Sequence, residues 1–97
     1  MNHADLIVAR IEQARQERGI GVAELARRIE VDGKRLWRVL NGERAMRVDE
    51  FVRLCAVLNM GLGCFATKEM AIRLAAERKR IAEEYGEGEP LGPLRFQ

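Results

Sequence analysis

Lys34, Trp37 and Arg38 stand at i, i+3 and i+4. On a helix that spacing puts two cations and an aromatic ring on one face. Such a set suits a polyanion. Lys and Arg donate to guanine O6 and N7 or to phosphate oxygens, and an apolar surface can touch a thymine methyl. Other chemistry is thinly supplied. His3 is the single histidine, and Cys55 and Cys64 are the two cysteines, without CxxC spacing. Neither a disulfide framework nor a zinc site is expected from them. Neither thiol has a histidine close by in the sequence for thiolate catalysis. No Gly-rich loop follows a strand, and no carboxylate pair marks a cleft. The expectation is a chain that is not an enzyme and carries no metal or cofactor.

Charge distribution supports the same direction. The 97 residues hold 17 basic and 15 acidic side chains, a net +2. Residues 27–47 alone contain seven basic against three acidic, a net +4, which leaves −2 for the remainder. A basic block in a nearly neutral chain points to a local contact with a polyanion, the alternative being a solvated surface. An aromatic fraction of 5% argues against a sheet that stacks single-stranded RNA. The length suits one domain, and 47% hydrophobic with 33% charged residues is a globular composition. No apolar run reaches the ~18–20 residues that a membrane-spanning helix needs. The start, Met-Asn-His-Ala-Asp, is unlike a signal peptide, so a cytoplasmic location is expected.

The elements that must hold these residues read as helices nearly throughout, with no sustained period-two alternation. Ile7, Ile11 and Ala14 mark a first helix stopped by Gly19. Leu25, Ala26 and Ile29 mark a short second one, weakly capped by Gly21. Asp32 is a good N-cap for a third helix opened by Gly33, with Leu36, Val39 and Leu40 inward and Asn41-Gly42 at its end. A polar loop, 43–47, leads to a fourth helix. Its expected apolar face is Val48, Phe51, Val52, Leu54, Cys55 and Leu58, with Asp49 and Glu50 favouring the helix dipole. Phe65 is expected to close the core. A longer helix is expected to run to Tyr85, its Arg78-Lys79-Arg80 set paired with Glu83 and Glu84 on a solvated face. Beyond it Pro90, Pro93 and several glycines discourage regular structure. The expected organisation is a domain over 1–66, a helix over 67–85 and a flexible tail over 86–97.

Only about three residues separate the second and third helices, so the two must cross steeply, with the small Ala26 at the crossing point. Here the chain resembles the helix-turn-helix domain of phage-repressor and Cro-type regulators, the xenobiotic-response-element group of bacterial transcription factors. The resemblance runs without gaps from about Ile7 to Phe65. It rests on Ile7-x3-Ile11-x2-Ala14-Arg15-x2-Arg18-Gly19, on Glu24-Leu25-Ala26, on Arg38-Val39-Leu40-Asn41-Gly42-x-Arg44, and on Val48-x2-Phe51-x2-Leu54-x3-Leu58.

The resemblance implies an all-α fold, a compact five-helix lambda-repressor-like bundle with a helical C-terminal extension. It maps the recognition helix to 33–40. Gly33, Lys34, Trp37 and Arg38 then become the candidates for base contacts, and Arg28, Arg35, Asn41, Arg44 and Arg47 those for phosphates. Asp32 is read as a cap, with acceptance from a cytosine amine as the alternative. Trp37 lies one step beyond Leu36, so exposure is favoured over burial between the third and fourth helices. Two departures stand out. Gly21 and Val22 occupy places where the family carries Ser or Thr followed by Gln, and Glu30 stands where many members have Gly. The implied partner is double-stranded DNA, bound by a homodimer acting as a small bacterial or phage repressor. The alternative is a protein-interaction module of the same fold, such as an antitoxin holding a protein toxin through residues 67–97.

Overall fold

The structure, a computed structural model, describes residues 2–86. It is all-α, with no strand among the described residues. The order is α1 (His3–Glu17), α2 (Val22–Ile29), α3 (Gly33–Leu40), α4 (Val48–Leu58), a 3-10 turn (Leu62–Phe65) and α5 (Lys68–Tyr85). The chain divides into two units, Met1–Ala66 and Thr67–Gln97. Four α-helices and the 3-10 turn build the first unit; the fifth α-helix belongs to the second. Of the segment expected as a flexible tail, residues 87–97 lie outside the described residues.

In the first unit α2 packs on α3 and α4, while α1 packs on α3, α4 and the 3-10 turn. The core is Ile11 and Ala14 from α1, Leu25, Ala26 and Ile29 from α2, Leu36 and Leu40 from α3, and Leu54, Cys55 and Leu58 from α4. Phe65 closes it, its ring 5.1 Å from that of Phe51. Ala26 is buried, as close approach of two short helices requires. The apolar face expected on α4 is narrower than its sequence suggests. Val48 and Val52 are 80% and 58% exposed, because the surface that α1 and α2 cover is centred on Leu54 and Leu58.

All four helices of this unit end in the same way. After α1 the N–H groups of Gly19 and Ile20 donate to Gln16 and Arg15 carbonyls. After α2, Glu30 and Val31 donate to Arg27 and Ala26; after α3, Gly42 and Glu43 to Val39 and Arg38; after α4, Asn59 and Met60 to Ala56 and Cys55. This paired pattern satisfies orphan carbonyls and needs a left-handed residue at the turn. Gly19, Gly42, Asn59 and Glu30 take φ of 65°, 79°, 54° and 61°. Glu30 is the one residue of the four poorly suited to that conformation. The Arg53 guanidinium, reaching from α4, donates to the Ile29 carbonyl at 3.1 Å and braces that turn.

The N-termini are secured individually. Asn2 Oδ1 accepts from the Asp5 N–H at 2.8 Å, and Asp32 Oδ2 accepts from the Arg35 N–H at 3.3 Å. Gly21 offers α2 no side-chain cap, as its composition dictates. At α4, Glu50 reaches back to accept from the Arg47 N–H at 2.9 Å. Its carboxylate also accepts from Nε and Nη2 of Arg35, both at 2.8 Å. Glu50 is 2% exposed, a buried charge retained because three donors meet it. In the second unit, Thr67 Oγ1 accepts from the Met70 N–H. Arg73 and Arg80 pair with Glu77, and Arg80 with Glu84, along the α5 surface.

The Arg35 guanidinium holds the Glu50 carboxyl below the ordinary carboxylate value of 4.5, with the Arg47 N–H adding to the effect. The unfolded chain therefore takes up this proton at higher pH than the folded one. The stability from Glu50 is complete above about pH 4.5 and is lost as pH falls through its lower folded value. Glu50→Gln is expected to cost about 2 kcal/mol at pH 7. That is less than the ~3–5 kcal/mol for a fully buried pair, because Arg35 stays partly in water. Urea melts from pH 7 to pH 3 should show the gap between wild type and variant closing in acid. A gap constant over that range would exclude the pair as the source. In the same melts Glu30→Gly is expected to stabilise the chain by about 1 kcal/mol, by removing the Cβ from a left-handed position.

Candidate nucleic-acid interface

The site begins at the turn. Glu30 ends α2, Asp32 caps α3, and the burial of Leu36, Val39 and Leu40 sets the rotation of α3 about its axis. With that face inward, Lys34, Trp37 and Arg38 point to solvent together. Trp37 is 52% exposed. Gly33 is half-buried at the start of the helix, and Val22 and Ala23 of α2 meet Gly33, Lys34, Trp37 and Arg38 around one shallow cleft. Val22, one of the positions where this chain departs from the resembled pattern, thus borders the outward face of α3 with apolar atoms.

The remaining cations sort by what already holds them. Arg35 turns its Nε–Nη2 edge onto Glu50, and Nη2 also donates to the Ala45 carbonyl at 3.3 Å. It links α3 to the 43–47 loop and to α4, so the edge best shaped for a phosphate is engaged within the fold. Arg28 pairs with Glu24 at 3.0 Å, and Arg27 with the same carboxylate at 2.6 Å. The two guanidiniums pull the Glu24 carboxyl down to about 2. This exposed cluster is loosely held and exchanges readily with other ions. Asn41 donates through Nδ2 to the Trp37 carbonyl at 2.7 Å, closing the end of its own helix.

Lys34, Arg38, Arg44 and Arg47 are different. Their side chains are exposed, and none has a hydrogen-bond or ion-pair partner among the described residues. Four unneutralised cations on α3 and the loop after it make this the part of the unit best able to take an anion. The thiols are not part of it. Burial pushes the Cys55 thiol up and keeps it protonated, and Cys64 lies beyond α4 in the 3-10 turn.

Sequence reasoning located the outward face of α3 by period alone. It missed the Arg35–Glu50 pair and the Arg53 brace, which join residues 15 and 24 positions apart. The one local signal was Glu50 three residues after Arg47, the spacing at which a carboxylate reaches back to a helix start.

A family model described as a helix-turn-helix domain matches residues 6–63. The chain belongs to that family, and the match runs from within the first turn of α1 through α2, α3 and α4 to the first half of the 3-10 turn. No curated protein and no solved structure matches the chain. No helix among the described residues is long and apolar enough to cross a membrane.

Trp37 is the single tryptophan, which gives the site its own reporter. Flanked by Lys34 and Arg38, its iodide-to-caesium quenching ratio at equal ionic strength is expected to exceed that of free N-acetyltryptophanamide. In Lys34→Ala/Arg38→Ala the ratio should fall toward that of the free compound. A wild-type ratio no higher than that of the free compound would contradict a cationic face around the ring.

Proposed function

We propose that this chain is a sequence-specific DNA-binding regulator, a repressor, that lays α3 in the major groove. The observation that carries the reading is the joint exposure of Lys34, Trp37 and Arg38, with both cations unpaired among the described residues. Eight residues of helix span about 12 Å, comparable to the ~12 Å width of the groove. Lys34 and Arg38 are assigned to base edges, with Gly33 allowing close approach, and the Trp37 ring to a thymine methyl or sugar. Arg44 and Arg47 are assigned to phosphates, which set register, and Arg28 joins them by leaving Glu24. The chain acts by binding and not by catalysis, in the compartment that holds its DNA.

So small a surface reads few base pairs. Useful selectivity therefore calls for a homodimer on two half-sites about one helical turn, ~34 Å, apart. Repression follows most simply, since a dimer seated on DNA blocks other proteins without a further activity.

Selection from a random duplex library, then anisotropy on the winning sequence, tests this. A two-fold repeated site is expected, with affinity falling steeply as salt rises. Arg38→Ala should lose about 1–3 kcal/mol and relax preference at one base pair, while Arg44→Ala should weaken all sequences alike. Wild-type affinity equal to that of Lys34→Ala/Arg38→Ala at low salt would overturn the assignment.

A further inference from the structure

Beside the α3–α4 loop the first unit holds an open cavity of about 500 Å³, within the size range of small-molecule sites. Ala4, Ile7 and Val8 of α1 form one wall, and Met46, Val48 and Phe51 the other. Ile7, Met46 and Phe51 are partly buried against the core and make a firm floor. The exposed Val48 extends this apolar surface outward. The charged groups lining it are Arg44, Arg47 and Asp5. Both arginine side chains lack an ion-pair partner among the described residues.

An apolar trough with two free guanidiniums and one carboxylate has a definite complement. We propose that it binds a small amphiphilic monoanion in free solution, with an alkyl body along Ile7, Val8 and Phe51 and a carboxylate on Arg44 and Arg47. Asp5 disfavours a second negative group, which selects monoanions over dicarboxylates. A second copy of the chain fits less well. A two-fold contact over this face would bring four guanidiniums into one interface. Arg44 and Arg47 are also the residues assigned to DNA phosphates. Resting on that reading, occupancy of the trough withdraws them from DNA, and the anion acts as an inducer.

Calorimetry of the full chain with decanoate below its micelle concentration tests the site without DNA. Saturable binding is expected, with decanol and decanedioate each weaker by about tenfold or more, as loss or mismatch of a charge-assisted contact implies. Arg44→Gln/Arg47→Gln should bring decanoate down to the level of decanol. Val8→Trp, filling the trough, should abolish binding while the variant melts cooperatively and still holds the selected duplex. No saturable binding, or equal binding of decanoate and decanol, overturns the proposal. Release of duplex from wild type but not from Val8→Trp supports the inducer role, and full retention at saturating decanoate overturns that role. If wild type holds no duplex without decanoate, the DNA reading has failed, and calorimetry still decides the trough.

Discussion

At Glu30 the chain takes φ 61° and ψ 43°, and this reversal governs the orientation of α3. The two N–H groups that follow α2 return to its last carbonyls, so the chain leaves α2 in one direction. Ala26, buried where the helices meet, allows the approach. Once α3 starts there, Leu36, Val39 and Leu40 can reach the core in a single rotation, and Lys34, Trp37 and Arg38 are left outside. The strain of a non-glycine residue in this conformation is about 1 kcal/mol. Core burial and the Arg53 contact to Ile29 offset it.

A second constraint acts at the far side of α3. Arg35 and Glu50 tie that helix to the start of α4, and Glu50 at the same time holds the Arg47 N–H. One buried carboxylate thus positions the 43–47 loop that carries Arg44 and Arg47. Two carboxylates of this unit are taken up within the fold and do not neutralise the outward cations: Glu24 by Arg27 and Arg28, Glu50 by Arg35. A modest net charge is compatible with a locally positive surface when some of the acids are occupied in this way.

The division of labour among the arginines follows from geometry and not from residue type. Arg35 and Arg53 bridge elements, Arg15 braces the α1–α2 connection through the Ile20 carbonyl at 2.7 Å, and Arg38 and Arg44 stand free. A count of basic residues in 27–47 treats Arg35 and Arg38 alike. The fold makes one a strut and leaves the other available to an anion.

Local information was sufficient for much of this protein. Helical periods, the cap at Asp32, and the stops at Gly19 and Gly42 depend on neighbours within one or two turns, and so the sequence by itself determined an all-α chain with a tight helix pair. It also determined that Lys34, Trp37 and Arg38 share a face, because 3.6 residues per turn leaves no other arrangement. Tertiary structure decided what periodicity has no means to encode. Val48 and Val52 are as apolar as Leu54, yet they lie outside the area that neighbouring helices cover. Arg35 found a carboxylate 15 residues away. Pairings across the bundle depend on how whole elements pack, and that information appears only when the core has closed.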